Sequence, residues 1–301
     1  MMRKLLIAGV VLVAAAIATA TAAADTPFPS PKVGDVFVAA QTVTTDGAMG
    51  NYFAPGSTVV FRAYAVDKKT HKLLVAKDVK YFYVAIPNAG NVKLTYSPTT
   101  PGATSRLAWI GKWTVPTTYP AGTVAFKVLV KTQAKRRGLF VQMPVATSQL
   151  TISAAPPPTF TSGTTPAPAV AETGKVDVSL YVDSVNGTRP AAAAPRPVGC
   201  TQTNVYKRGE QFVLRAWGTD LSTGDLLTSD NVKEAHFSVP GQPDVTLNWG
   251  LHGSADNRVF FWTNALQIPA DYALGQTTVH VVFTLESGKA GTFDYSITII
   301  P

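Results

Sequence analysis

The chain aligns with itself. NYFAPGSTVVFRAYAVDKKTHKLL, beginning at Asn51, lies over NVYKRGEQFVLRAWGTDLSTGDLL, beginning at Asn204, a constant offset of 153 residues. Gly56 falls on Gly209, Arg62 on Arg215, Asp67 on Asp220, and Leu73-Leu74 on Leu226-Leu227. The offset holds through Pro87/Pro240, Trp109/Trp262, Pro116/Pro269, Tyr119/Tyr272, Gly122/Gly275, Gly138/Gly291 and Phe140/Phe293. A unit this long is not a solenoid repeat of 20–50 residues. It has the size of a domain, and 301 residues accommodate two such units.

Composition shifts mark the expected boundaries. Residues 1–24 read as a signal peptide: Arg3 and Lys4 open it, an apolar run follows from Leu5 to Ala18, and Ala22-Ala23-Ala24 supplies small residues for cleavage. The apolar run is shorter than the roughly 20 residues of a spanning helix. No Cys stands at the cleavage point for lipid attachment, and no later stretch is apolar enough to span a bilayer. The expected location is therefore secreted or periplasmic. Residues 25–32 form an N-terminal extension, and 33–153 and 175–301 are the two repeated units. Residues 154–174, AAPPPTFTSGTTPAPAVAETG, are a Pro/Ala/Thr-rich linker able to hold the units tens of ångströms apart.

Within each unit the apolar period is two. Val59, Phe61, Ala63 and Ala65 alternate with Val60, Arg62, Tyr64 and Val66. Val124, Phe126, Val128 and Val130 alternate with Ala125, Lys127, Leu129 and Lys131. This is the pattern of half-buried strands. Runs begin at Val36, Thr58, Val79, Val92, Leu107, Gly122 and Gly138, which predicts about seven strands per unit. The expected fold class is all-β: two tandem immunoglobulin-like antiparallel β-sandwiches related by duplication.

The segments VPTTYPAGTVAFKVLV and IPADYALGQTTVHVVF resemble a stretch of bacterial extracytoplasmic immunoglobulin-like and fibronectin-like modules, where P-x-x-Y-x-x-G precedes an alternating strand. The paired cysteines of true immunoglobulin domains are missing, so the resemblance implies the sandwich architecture alone. It also implies a binding, spacing or assembly role, although fold does not fix function.

Enzyme chemistry is not expected. No nucleophile elbow, phosphate-binding loop, dinucleotide fingerprint or zinc-protease helix is present. No cofactor is expected either. Alternation places Phe82, Val84 and Ile86 inward with their counterparts Ala235, Phe237 and Val239, and turns Tyr81, Tyr83, Glu234 and His236 outward. His280 lies on the sixth strand, next to the third in such sandwiches, so Glu234, His236 and His280 are weak candidates for a surface metal site. The alternative is two unrelated solvated histidines. Trp109, Trp217 and Trp262 support a carbohydrate-binding module accessory to a hydrolase only if they line a groove, whereas their recurrence at repeat positions points to packing. Arg62 and Arg215 stand two residues before Tyr64 and Trp217, within reach of cation–π contact. Asp67 and Asp220 open matching turns. Cys200 has no partner in the chain and is either a free thiol or an intermolecular disulfide.

Charge separates the units. Residues 25–153 hold 15 Lys/Arg against 5 Asp/Glu, a net +10, and residues 154–301 hold 9 against 13, a net −4. Lys68, Lys69 and Lys72 in one turn and Lys131, Lys135, Arg136 and Arg137 around the last hairpin should share one end of the first sandwich. Asp220, Asp225 and Glu286, offset by Lys289, occupy the matching end of the second. A basic tip attracts anionic partners. The expected function is an exported, non-enzymatic binding or assembly protein, an accessory or adhesive subunit. It would recognise a protein partner or an anionic surface or polymer through that tip and the face of Tyr81, Tyr83, Lys127 and Leu129. Head-to-tail self-association is a further possibility, and nucleic acid is not an expected ligand.

Overall fold

The computed structural model describes residues 34–98, 107–155, 176–187, 199–253 and 258–301. The signal peptide, the N-terminal extension and all but the first two linker residues lie outside the described residues. The first half runs β1 (Val36–Val43), β2 (Tyr52–Phe53), β3 (Thr58–Asp67), β4 (Lys72–Leu73), β5 (Val79–Ile86), β6 (Gly90–Lys93), β7 (Thr95–Pro98), β8 (Leu107–Thr114), β9 (Gly122–Thr123), β10 (Lys127–Thr132), β11 (Arg137–Val141) and β12 (Thr151–Ile152). The second runs β13 (Val178–Asn186), β14 (Val205–Lys207), β15 (Gln211–Asp220), β16 (Val232–Ser238), β17 (Val245–Thr246), β18 (Asn248–His252), β19 (Val259–Gln267), β20 (Gly275–Leu285) and β21 (Ala290–Ile300). The helical pieces among the described residues are two 3-10 turns, at Ala76–Asp78 and Ala146–Ser148. The protein is all-β, in sandwiches of mostly antiparallel strands.

In the second half, the sheet β13-β15-β19-β18 faces the sheet β14-β21-β20-β16-β17. In the first half, β1-β3-β8-β7 faces β6-β5-β10-β11, and one parallel bridge, Val36 to Gly138, links the two layers. Inward residues of both layers form each core: Phe61, Phe82, Val84, Val128 and Phe140 in one, Leu214, Phe237, Val281, Phe283 and Phe293 in the other.

The same local bonds recur 153 residues apart. Trp109 Nε1 donates to Leu74 O at 2.9 Å, and Trp262 Nε1 to Leu227 O at 2.9 Å. Tyr119 Oη donates to Pro87 O at 2.6 Å, and Tyr272 Oη to Pro240 O at 2.9 Å. Arg136 pairs with Asp67 as Lys289 pairs with Asp220. Left-handed turn positions correspond too: His71 (φ 57°) matches Gly224 (φ 80°), and Lys135 (φ 67°) matches Gly288 (φ 80°). The first strand departs from this offset. Val36 opposes Asp67 and Val178 opposes Asp220, so these strands stand 142 residues apart. The second half therefore carries eleven additional residues between β13 and β14, in the connection that includes Cys200.

The linker is long enough to hold the halves apart, yet they are in direct contact. β1 and β13 are buried along their whole length, and β3 is buried beyond Thr58. Their inner faces fill the sandwich cores and their outer faces meet between the halves. There Tyr64 Oη donates to Leu180 O, and Gln41 Nε2 to Val182 O at 3.1 Å. Phe140 lies 5.5 Å from Tyr181, and Tyr64 lies 6.3 Å from Phe293, centroid to centroid. Met49 N donates to Asn204 Oδ1 at 2.7 Å, and Gln202 N to Asn51 Oδ1 at 3.1 Å. Both pairs exchange positions 153 apart, so the contact is reciprocal, like an isologous dimer interface contained in one chain.

Candidate functional site

The outer side of β6-β5-β10-β11 is built by pleat alone. Buried Phe82, Val84, Val128, Val130 and Phe140 turn their neighbours outward. Ladder pairing then sets three rows across the strands. The middle row is Lys93, Tyr83, Leu129 and Leu139. On one side of it stand Tyr81, Lys131 and Arg137, and on the other Ala85, Lys127 and Val141. Tyr81 is 39% exposed, Leu139 54% and Val141 37%. The Tyr81 and Tyr83 rings lie 5.5 Å apart. Lys131 directly opposes Arg137, a like-charge pairing that costs stability unless an anion lies over it.

The same framework in the second half carries different side chains. Tyr81, Tyr83, Lys127, Leu139 and Val141 correspond to Glu234, His236, His280, Thr292 and Asp294. Strand pairing there is equivalent, with His236 opposite Val282 and His280 opposite Asp294. The fold therefore does not require exposed apolar or basic residues at these positions.

The residues singled out in the sequence separate into groups. Tyr81, Tyr83, Lys127, Leu129, Lys131 and Arg137 come together on this face. Lys69, Lys72 and Lys135 are exposed at the adjoining tip. Lys68 Nζ donates to Thr223 O of the second half at 3.2 Å, so it is engaged between the halves. Arg136 Nε donates to buried Asp67 at 2.6 Å, and its role in the turn is structural. Asp67 Oδ1 also accepts from the Lys69 and Thr70 amides, holding the turn closed. Lys72, Lys77, Asp78 and Arg136 line a cleft of about 560 Å³ at this end, where carboxylates accompany the cations. Leu139, Val141 and Lys93 complete the face and were missed in the sequence. The alternation of Arg137, Leu139 and Val141 around Phe140 was the available signal.

The remaining singled-out residues lie away from this face. Trp109, Trp217 and Trp262 are 6%, 0% and 6% exposed, and each indole N–H donates to a main-chain carbonyl. They pack the interior and line no groove, which removes the basis for the carbohydrate-binding alternative. His236 Nδ1 lies 3.1 Å from Glu234, and His280 Nδ1 lies 2.6 Å from Asp294. Each imidazole thus has its own carboxylate, and no group of three metal-ligating side chains forms among the described residues. Arg215 meets the Phe261 ring, 5.9 Å from its centroid, and grips Asp183 through Nε and a terminal nitrogen at 2.7 and 2.8 Å. Burial alone would lower the guanidinium pKa; the Asp183 carboxylate outweighs it and raises it. Cys200 is half-buried in a left-handed turn, with its carbonyl accepting from Ser148 Oγ at 2.8 Å.

No family model matches the chain, and no curated protein sequence matches it. Solved structures similar to it include the fibronectin(III)-like modules of Clostridium thermocellum CbhA, at 13% identity and TM-score 0.22, covering 87% of this chain and 93% of that one. SGBP-B of the Bacteroides ovatus mixed-linkage glucan utilization locus, solved with a mixed-linkage heptasaccharide, matches at 11% identity and TM-score 0.19, over 85% of this chain and 45% of its own. The C-terminal domain of the Streptococcus agalactiae polypeptide BspA matches at 8% identity and TM-score 0.19, over 87% and 100%. The β-sandwich assignment rests on the strand pairing above, and these scores add nothing to it. No helix among the described residues is long and apolar enough to cross a membrane.

Proposed function

We propose that the protein is an exported, non-enzymatic binding or assembly subunit whose first half docks an acidic protein partner or anionic surface on the β6-β5-β10-β11 face. One observation supports this most directly. Tyr81, Leu139 and Val141 are exposed on a single face rimmed by Lys93, Lys127, Lys131 and Arg137, while Glu234, Thr292 and Asp294 stand at the positions of Tyr81, Leu139 and Val141 in the second half. Tyrosine offers rigid contact area at small entropic cost, aliphatic side chains add desolvation, and the cations steer an acidic partner. Descent of both halves from one duplicated sandwich accounts for their shared framework and for the divergence of this face.

Retention on immobilised heparin, an anionic polymer, tests the reading. Reversing Lys127, Lys131 and Arg137 to Glu should lower the eluting salt concentration substantially. Reversing Lys112 and Lys233, away from the three rows, should lower it much less. Effects in proportion to the number of charges reversed would show that net charge, and no particular face, governs binding.

A further inference from the structure

We infer that the acidic partner of the Tyr81/Tyr83 face is the corresponding face of the second half in another copy of this chain. The inference rests on the docking role proposed for that face. Both surfaces are the outer sides of four adjacent strands with equivalent pairing, so they present the same dimensions and pleat. Their charges oppose. Lys127 and Lys131 stand on one face, whereas Glu234 and Asp294, 60% and 39% exposed, stand on the other. Val282, between His236 and Thr292, lies at the centre of the second face, where the aromatic and aliphatic row of the first can pack against it. Twisted sheets pack face to face at about 30° with such rows in contact.

Two different faces on one chain make the contact heterologous. It propagates head to tail until a ring closes or a filament continues. Four strands about 4.8 Å apart and five residues at about 3.4 Å outline a footprint near 300 Å² per side. Stable pairs bury about 800 Å² per partner. The contact is therefore weak and reversible, and it matters where the chain is concentrated.

Sedimentation of the purified full chain across a concentration series reads it directly. The weight-average mass should rise with concentration at low salt and return to monomer at about 0.5 M salt. The variant Lys127→Glu/Lys131→Glu should stay monomeric, as should Glu234→Lys/Asp294→Lys, each with unchanged circular dichroism and melting temperature. Mixing the two variants should restore association, because each then offers the complement of the other. A wild-type chain that stays monomeric at low salt, or a mixture that does not associate, overturns the inference. Loss of heparin retention in the first variant alongside a monomeric wild type would leave the docking face standing and remove only the second copy as its occupant.

Discussion

At the residue scale the most committed group is the Arg215 guanidinium. It is 2% exposed, paired twice with Asp183 at 0% exposure, and donates its remaining terminal nitrogen to Ser148 Oγ in the other half at 2.8 Å. Gln202 Nε2 and Tyr181 Oη add donors to the same carboxylate at 2.9 and 3.2 Å. Removing one member leaves a buried, unanswered charge. Asp183→Ala should cost about 3–5 kcal/mol in urea unfolding, and the double variant Asp183→Leu/Arg215→Met should recover most of it. His252 makes a second prediction. Its ring stacks on Phe261 at 4.3 Å, and burial, followed by the nearby Arg215 charge, holds its pKa below the ordinary 6.5. The folded state disfavours the protonated form. The stability His252 lends is therefore complete above the unfolded value and falls as pH drops through the lower folded value. His252→Phe should flatten the decline of Tm with pH below about 6.5. It also removes a buried Nε2 that has no hydrogen-bond partner among the described residues, so at pH 5 the variant should melt no lower than the wild type.

At the scale of strands, pairing was legible in the sequence and the covering of the strands was not. Alternation in 124–131 located β10 and its outward residues, since period two depends only on the pleat. The same alternation in β3 and β15 implied half-buried strands, yet both faces are buried, because a polar-looking row such as Arg62 and Tyr64 says nothing of a distant segment that will cover it. Arg215 was read toward Trp217, its neighbour on the strand; its partner Asp183 lies 32 residues away on β13. The Gly138/Gly291 match was visible, but its cause needed coordinates. A Cβ on Gly138 would lie 2.6 Å from Val36 O and 2.6 Å from a Val38 methyl, and one on Gly291 would lie 2.6 Å from a Val178 methyl. These glycines let β11 and β21 approach the first strand of each half. Gly138→Ala should cost about 1–3 kcal/mol by chemical denaturation. Gly291→Ala should cost a similar amount, since the Val178 Cβ that would lie 2.7 Å away is fixed to the backbone.

For the whole molecule, the consequence of the reciprocal contact is cooperativity. A Pro-rich connection between repeated units leaves open in the sequence whether they touch; here β1 and β13 have no solvent-facing side left, and separating the halves would uncover Tyr64, Tyr181, Arg215 and Asp183 together. Two of the bonds across the contact join main-chain N–H groups to side-chain amides buried on both sides: Met49 N to Asn204 Oδ1, and Gln202 N to Asn51 Oδ1. Asn204→Ala strands a buried N–H, a loss of about 1–3 kcal/mol. In a domain of 150–250 residues about 1 kcal/mol moves Tm by 2–4 °C. Calorimetry should therefore show one transition, with calorimetric and van't Hoff enthalpies equal, for the wild type. Asn204→Ala should shift that single transition down by several degrees without splitting it. Two resolved transitions in the wild type, one of them untouched by Asn204→Ala, would mean that the halves fold as separate units and that the contact between them contributes nothing to stability.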